Sequence, residues 1–236
     1  MKIGGFIKTS LIDYTGKIAC VIFTAGCNLR CKYCHNPELV LPEKISKLKL
    51  IPEDYIFQYI KSNIDLLDAI VITGGEPTLQ NDLINFIIKI KSLGLLVKLD
   101  TNGTTPKILN KLIDLNLLDY IAMDIKAPLD IAKYQLIAGD IMNIEVLDKI
   151  KNSIWQIIKS GIPHEFRTTV VKQFLSKEDI YKISQSIKGC DSYCLQNYNP
   201  DVVLDENIKS NTGYPQKVLE LISDDLDINK ENIVVR

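Results

Sequence analysis

The stretch IACVIFTAGCNLRCKYC, residues 18–34, joins a β-branched apolar run to three closely spaced thiols. The run IACVIFT (18–24) is too short for an ordinary helix and is bounded by Gly16 and Gly26, so it reads as a fully buried strand. Cys27, Cys31 and Cys34 follow it in a C-x3-C-x2-C spacing, which puts half of the chain's six cysteines on one loop. Thiolates so placed suit a soft metal centre, since cysteine holds iron–sulfur clusters and zinc accepts it as well. Structural zinc sites usually close with four ligands from two segments, and here the count is three. His35 directly follows Cys34, an awkward position for joining it on one tetrahedral ion, and His164 is far off in sequence. Three cysteines on a four-iron, four-sulfur cube leave one iron without a protein ligand, a place where a small molecule can bind. A structural zinc loop and unrelated buried cysteines are the plainer alternatives.

Outward from this stretch the same pattern repeats. Apolar, β-branched runs recur at DAIVIT (68–73), LLVKLD (95–100), YIAMDI (120–125), FRTTVV (166–171) and YCLQNY (193–198). Helical spacing separates them: a helix beginning near Pro52; Leu83, Ile87 and Ile90 after Asp82, with Gly94 behind them; Ile108, Leu109, Leu112 and Ile113 after Thr105-Pro106; Leu147, Ile150, Ile154 and Ile157 up to Gly161; and SKEDIYKISQSI capped by Ser176. Strands alternating with helices of 10 to 15 residues predict an α/β fold with a parallel sheet built from βαβ units. Six units fall short of a closed eightfold barrel, and alternation alone leaves a doubly wound open sheet as the other choice. Either architecture puts function at the carboxyl ends of the strands.

Those ends are where the polar residues gather. The second predicted strand ends in Gly74-Gly75-Glu76-Pro77, the third in Asp100-Thr101-Asn102-Gly103 and the fourth in Asp124-Ile125-Lys126. Glycines at a strand end let a ligand approach the backbone with no Cβ in the way. Asp124 and Lys126 by themselves could be an ordinary ion pair at a sheet rim. His164 is expected to be a solvated residue after a helix, and the lysine-rich KISKLKL (44–50) a solvated charge run. Cys20, Cys190 and Cys194 are expected to be small buried hydrophobes, because two or three scattered cysteines do not make a second cluster.

At 236 residues the chain is expected to be one domain over 1–236, with a core about 17–200 and a helical or extended tail about 201–236. Charge is balanced at 28 basic and 29 acidic residues, which gives no general attraction to nucleic acid or to a membrane surface. No apolar run approaches the roughly 18 residues of a membrane span, and MKIGGFIKTS lacks the apolar core of a signal peptide. A cytoplasmic setting is therefore expected, where clustered cysteines serve metals or catalysis rather than disulfides.

With GCNLRCKYC, GGEP and the polar strand ends in hand, the chain resembles the radical S-adenosylmethionine (radical SAM) enzymes, whose three-cysteine signature carries an aromatic before the last cysteine, here Tyr33. The segments SLIDYTGK (10–17), ITGGEPTLQ, DTNG, MDIKAP and FRTTVV make it look closest to the activating enzymes of glycyl-radical enzymes, in particular those of anaerobic ribonucleoside-triphosphate reductase. The resemblance covers about the first 200 residues. Thr15 departs from the proline usual there, which bears on loop rigidity and not on the cluster. No extra cysteines lie between the first and second strands, so the subclass with an inserted ferredoxin-like module is disfavoured.

The resemblance implies a partial (β/α)6 barrel, a [4Fe-4S] cluster on Cys27, Cys31 and Cys34, and S-adenosylmethionine chelated to the fourth iron. It implies reductive cleavage to a 5′-deoxyadenosyl radical that abstracts hydrogen from a glycine of a partner enzyme. A flavodoxin or ferredoxin would supply the electron. Gly75, flanked by Gly74 and Glu76, matches the segment whose backbone holds the methionine amino group. Asp100 and the Asp124-Ile125-Lys126 element match residues that contact ribose, carboxylate or an associated monovalent cation. Tyr33, Cys34 and His35 would meet the adenine, and Gln196 and Tyr198 would close that side. Arg167 has two readings, a reach to the ligand carboxylate or a pairing with Glu165. A second enzyme of the superfamily, 7-carboxy-7-deazaguanine synthase, shares GCNLRCKYC and GGEP and remains the alternative, with a cluster- or zinc-binding module as the non-enzyme reading.

Overall fold

The computed structural model describes residues 1–209 and 213–236. Two compact units share the chain: one comprises Met1–Asn28, Glu38–Thr101 and Lys107–Ile121, the other Leu29–Pro37, Asn102–Pro106 and Ala122–Arg236.

The first unit carries strands β1 (Ile3–Ser10), β2 (Ala19–Thr24), β3 (Ala69–Gly74) and β4 (Leu96–Thr101), and the opening residues of β5 (Tyr120–Asp124). They lie in chain order across the sheet. β2 pairs with β3 in parallel from Ala19↔Ala69 to Thr24↔Gly74, and β3 with β4 from Ala69↔Leu96 to Ile72↔Leu99. Both faces of these strands are covered: Val21, Ile22, Ile70, Val71, Ile72, Val97 and Leu99 have no exposed surface. Parallel strands read as unbroken apolar runs for this reason. The helices are α1 (Pro37–Val40), α2 (Pro42–Ile45), α3 (Glu53–Ser62), α4 (Leu83–Lys91) and α5 (Pro106–Asp114). α3 buries Ile56 and Ile60, and α4 buries Leu83, Phe86, Ile87 and Ile90, one face of each.

The second unit holds the rest of β5, then α6 (Ile131–Ala138), α7 (Ile144–Lys159), β6 (His164–Val170), α8 (Lys177–Ser186), β7 (Ser192–Asn197), α9 (Gln216–Asp224) and β8 (Ile233–Val235). Here too the strand order follows the chain. β6 and β7 are parallel from Glu165↔Ser192 to Val170↔Asn197, and β8 adds a parallel edge to β7. α8 starts at a reciprocal capping box, in which the Ser176 hydroxyl accepts from Asp179 N and the Asp179 carboxylate accepts from Ser176 N.

All six predicted strands form within a residue or two of their expected limits, and the fold is α/β. Two further strands lie at the edges. β1, IGGFIKTS, pairs antiparallel with β2, and its Gly4-Gly5 hides it from a propensity reading. A Cβ at Gly4 would stand 2.4 Å from Leu39 Cδ2, so glycine there admits the α1 side chain. β8 is three residues long and lies in the expected tail. One expectation is overturned: His164 is not solvated but 3% exposed, because it opens β6 rather than following a helix. Its Nδ1 lies 2.8 Å from Ile162 O and 3.1 Å from Asp191 Oδ2. Cys20, Cys190 and Cys194 are buried, and Tyr198 is buried with its hydroxyl donating to Ile208 O at 2.9 Å.

The tightest backbone approach in the first unit is at Gly75, where a Cβ would lie 2.1 Å from Gly26 O. Gly75→Ala should cost about 1–3 kcal/mol in urea unfolding of the metal-free protein, because a backbone oxygen cannot step aside. Gly4→Ala should cost less, since the far end of Leu39 can rotate away; equal costs would contradict this packing.

Candidate active site

In the first unit the β2–β3 register brings two loops off the strand ends together. Gly75 N donates to Thr24 O at 2.8 Å, Glu76 N to Gly26 O at 2.8 Å, and Gln80 Nε2 to Ala25 O at 2.9 Å. The GGEP turn is thus laid on the chain that leads into Cys27, which is half-buried. Gly74, at φ +111, has no room for a Cβ: one would meet Thr24 N at 2.4 Å.

Glu76 is fully buried. Its Oε1 accepts from Thr78 N at 3.1 Å, from the Thr78 hydroxyl, and from Thr101 Oγ1 at 2.7 Å. A buried carboxylate is tolerated when its acceptor sites are filled in this way, and this one ties the GGEP turn to the end of β4. Asp100, one residue earlier on β4, has Lys98 Nζ 3.9 Å from its Oδ1. Lys98 is 6% exposed, donates to Asp13 O at 2.7 Å and stands 5.2 Å from the centroid of Tyr120. The sequence reading missed Lys98, although its place two residues before Asp100 on one strand puts both side chains on the same face.

The second unit holds the rest of the cysteine loop and the ends of β5 and β6. Cys31 and Tyr33 are buried, Cys34 is half-buried and His35 is exposed. Cys34 N donates to Cys31 O at 2.9 Å, which closes the loop into a turn. At the end of β5, Asp124 accepts from Lys126 Nζ at Oδ2 and from Arg167 Nε at Oδ1, both at 2.8 Å. Arg167 Nη1 reaches only to 4.0 Å from Glu165 Oε1, so Asp124 is its principal partner. Ile125 between them is fully buried; its amide donates to Arg167 O at 2.8 Å and its carbonyl accepts from Thr168 Oγ1 at 2.9 Å. The ammonium of Lys126 lies 6.0 Å from the Tyr33 ring centroid. Gln196 is half-buried on β7.

Charge follows this geometry. Burial alone would raise the Asp124 carboxyl, but the Arg167 guanidinium and then the Lys126 ammonium reverse that and hold it far below the ordinary carboxylate range. Lys126 is pressed down by burial and raised more strongly by Asp124, so it stays protonated. Burial pushes the Cys31 thiol up to about 11, partly offset by Lys126, and also raises Cys34.

These residues suit an iron–sulfur centre with a polar ligand. Each iron of a cube takes its own thiolate, whereas a mononuclear site needs its ligands on one point. The thiols of Cys27, Cys31 and Cys34 are soft donors of the kind such a centre takes. The Tyr33 hydroxyl is buried without a hydrogen-bond partner, and the half-buried Lys126 ammonium stands 6.0 Å from the centroid of its ring, which suits a polar guest.

Residues 21–187 match the profile of the Radical SAM superfamily. The chain belongs to that superfamily. A protein of Methanocaldococcus jannaschii, named as a candidate glycyl-radical enzyme activating enzyme, is 39% identical over 214 residues, 88% of this chain and 84% of its own. The 7-carboxy-7-deazaguanine synthase of Hyperthermus butylicus is 37% identical over 97 residues, 39% of this chain and 38% of its own. Among solved structures, Streptococcus suis SuiB bound to S-adenosylmethionine matches with a TM-score of 0.63 and 17% identity, over 92% of this chain and 51% of that one. The chain therefore spans about half the length of that structure, and the likeness is one of fold. This radical SAM protein is an enzyme, and its cofactors are a [4Fe-4S] cluster and S-adenosylmethionine. No helix among the described residues is long and apolar enough to cross a membrane.

Asp124 faces two cations that are each 14% exposed, while its own side chain is 29% exposed. Asp124→Asn should destabilise the metal-free protein by about 2 kcal/mol, between the values for exposed and buried pairs. Because the folded carboxyl lies below its unfolded value of about 3.9, its contribution is complete at neutral pH and fades as pH falls below that value. The gap between wild type and variant in urea midpoints should therefore narrow between about pH 5 and pH 3; a constant gap would count against this pairing.

Proposed function

We propose that this enzyme activates a glycyl-radical enzyme by generating a glycyl radical on it, with 1–236 acting as one catalytic domain. The observation that carries the reading is the 39% identity across 88% of the chain to a relative named for that activity. Cys27, Cys31 and Cys34 hold three irons of the cluster. When bound, the cluster and S-adenosylmethionine together supply one-electron reductive cleavage of the sulfonium.

The chain's own residues position and shield that chemistry. Lys126, kept protonated by Asp124, offers a cation to the methionine carboxylate, and Arg167 holds Asp124 in place. Gly74 and Gly75 present bare backbone to the methionine amino group, with Glu76 fixing their turn through Thr78 and Thr101. Asp100 is an acceptor for ribose hydroxyls, while Tyr33, Cys34 and His35 serve the adenine side. Anaerobic ribonucleoside-triphosphate reductase is the partner to test first, and a reduced flavodoxin or ferredoxin the electron donor. The 7-carboxy-7-deazaguanine synthase reading has the 37% identity over 97 residues in its favour, but that similarity covers only 39% of the chain.

Reconstituted anaerobically and reduced with dithionite, the protein should release 5′-deoxyadenosine from S-adenosylmethionine. Cys31→Ala should abolish the product and Cys194→Ala should leave it nearly intact. Mixed with a candidate reductase, the active protein should raise a glycyl radical signal in electron paramagnetic resonance. Turnover of a carboxytetrahydropterin with no such signal would replace this reading by the alternative.

A further inference from the structure

We infer that α6 is the element that positions the cysteine loop and Lys126, and that Tyr134 and Gly139 are its positioning residues. This rests on the reading of Cys31 and Cys34 as cluster ligands and of Lys126 as a contact to S-adenosylmethionine.

The last carbonyls of a helix have no partner within it. In α6 two of them are used by the cysteine loop: Ile137 O accepts from Lys32 N at 3.0 Å and Ala138 O from Arg30 N at 2.9 Å. Those amides flank Cys31 on either side, so the backbone around that ligand hangs from the helix end. Gly139 makes the approach possible. It sits at φ +96, and a Cβ on it would stand 3.2 Å from Arg30 Cβ. A side chain there would be strained in conformation and tight against the loop.

The flank of the same helix reaches the end of β5. Tyr134 is 1% exposed; burial pushes the pKa of its hydroxyl up, and the backbone amides of Lys126 and Ala127 and the Lys126 ammonium partly offset that rise. The hydroxyls of Tyr33 and Tyr134 are both buried without hydrogen-bond partners, and the Lys126 ammonium stands 6.0 Å from the centroid of the Tyr33 ring. The helix itself is pinned. Asp130 caps it by accepting from Lys133 N at 2.9 Å, and Lys133 Nζ donates to Asp179 Oδ2 at 2.7 Å and to Phe174 O at 3.3 Å. Asp205 N adds a further tie, donating to Lys32 O at 2.9 Å. One short anchored helix therefore holds the loop around Cys31 by its carboxyl end and carries the buried Tyr134, whose hydroxyl feels the Lys126 backbone and ammonium, so a shift of α6 reaches both.

The test starts with the metal-free protein. Alkylation of individual thiols, followed by mass spectrometry, should proceed about tenfold faster at Cys31 in Gly139→Ala than in wild type, corresponding to local opening eased by about 1.4 kcal/mol. The rate at fully buried Cys194 should not change, which separates loop release from global unfolding. In the reconstituted protein, Gly139→Ala should lose iron to a chelator about tenfold faster. Tyr134→Phe should keep its full iron content and its kcat for 5′-deoxyadenosine, raise KM for S-adenosylmethionine several-fold, and weaken the change that S-adenosylmethionine causes in the paramagnetic resonance of the reduced cluster. Wild-type alkylation and chelation rates in Gly139→Ala, together with a wild-type KM and spectrum in Tyr134→Phe, would overturn the inference. If Gly139→Ala does not fold, Tyr134→Phe decides alone. If wild type takes up no cluster, the ligand assignment fails instead, and the alkylation rates still decide whether α6 holds the loop.

Discussion

The parallel register between β2 and β3 is the constraint on which the first unit's part of the site depends. It sets Thr24 opposite Gly74, so the strand that leads to the cysteines and the strand that leads to GGEP end at the same level. The backbone then continues the pairing past the strands, through Gly75 N to Thr24 O and Glu76 N to Gly26 O. Only residues without a Cβ allow chains this close, and for that reason the turn begins with two glycines. Glu76 completes the arrangement, its carboxylate fastening the GGEP turn to the end of β4 through Thr78 and Thr101.

In the second unit an electrostatic constraint plays the corresponding part. Asp124 sits between a guanidinium and an ammonium and keeps both in defined places. The pair of cations stabilises the carboxylate, and the carboxylate in turn keeps Lys126 charged in a setting that would otherwise favour the neutral amine. In the proposed function that retained charge is what the ligand carboxylate would meet. Burial of the cysteine thiols works in the opposite direction, since ligation requires the thiolate and metal uptake must release their protons.

Much of this was legible in the sequence because it is local. Unbroken β-branched runs report strands covered on both faces, and they marked all six inner strands. The cysteine spacing, GGEP and Asp124-Ile125-Lys126 were visible as motifs because each lies within a few residues at one strand end. β1 was not legible, because its glycines serve the packing of Leu39 and depress strand propensity at the same time. His164 was misplaced because a residue a few positions past a helix can open a strand, as it does at the start of β6.

The sequence by itself determined the α/β alternation, the cluster ligands proposed here and the superfamily, since each is carried by short-range spacing. The tertiary structure decided who holds whom. It chose Asp124 over Glu165 as the principal partner of Arg167, put Lys98 beside Asp100, tied Glu76 to Thr101, and hung the cysteine loop from the end of α6. Apart from Lys98 and Asp100, which alternate along one strand, those contacts join residues 25 to 108 positions apart in the chain, and no local periodicity carries information about a partner that far away.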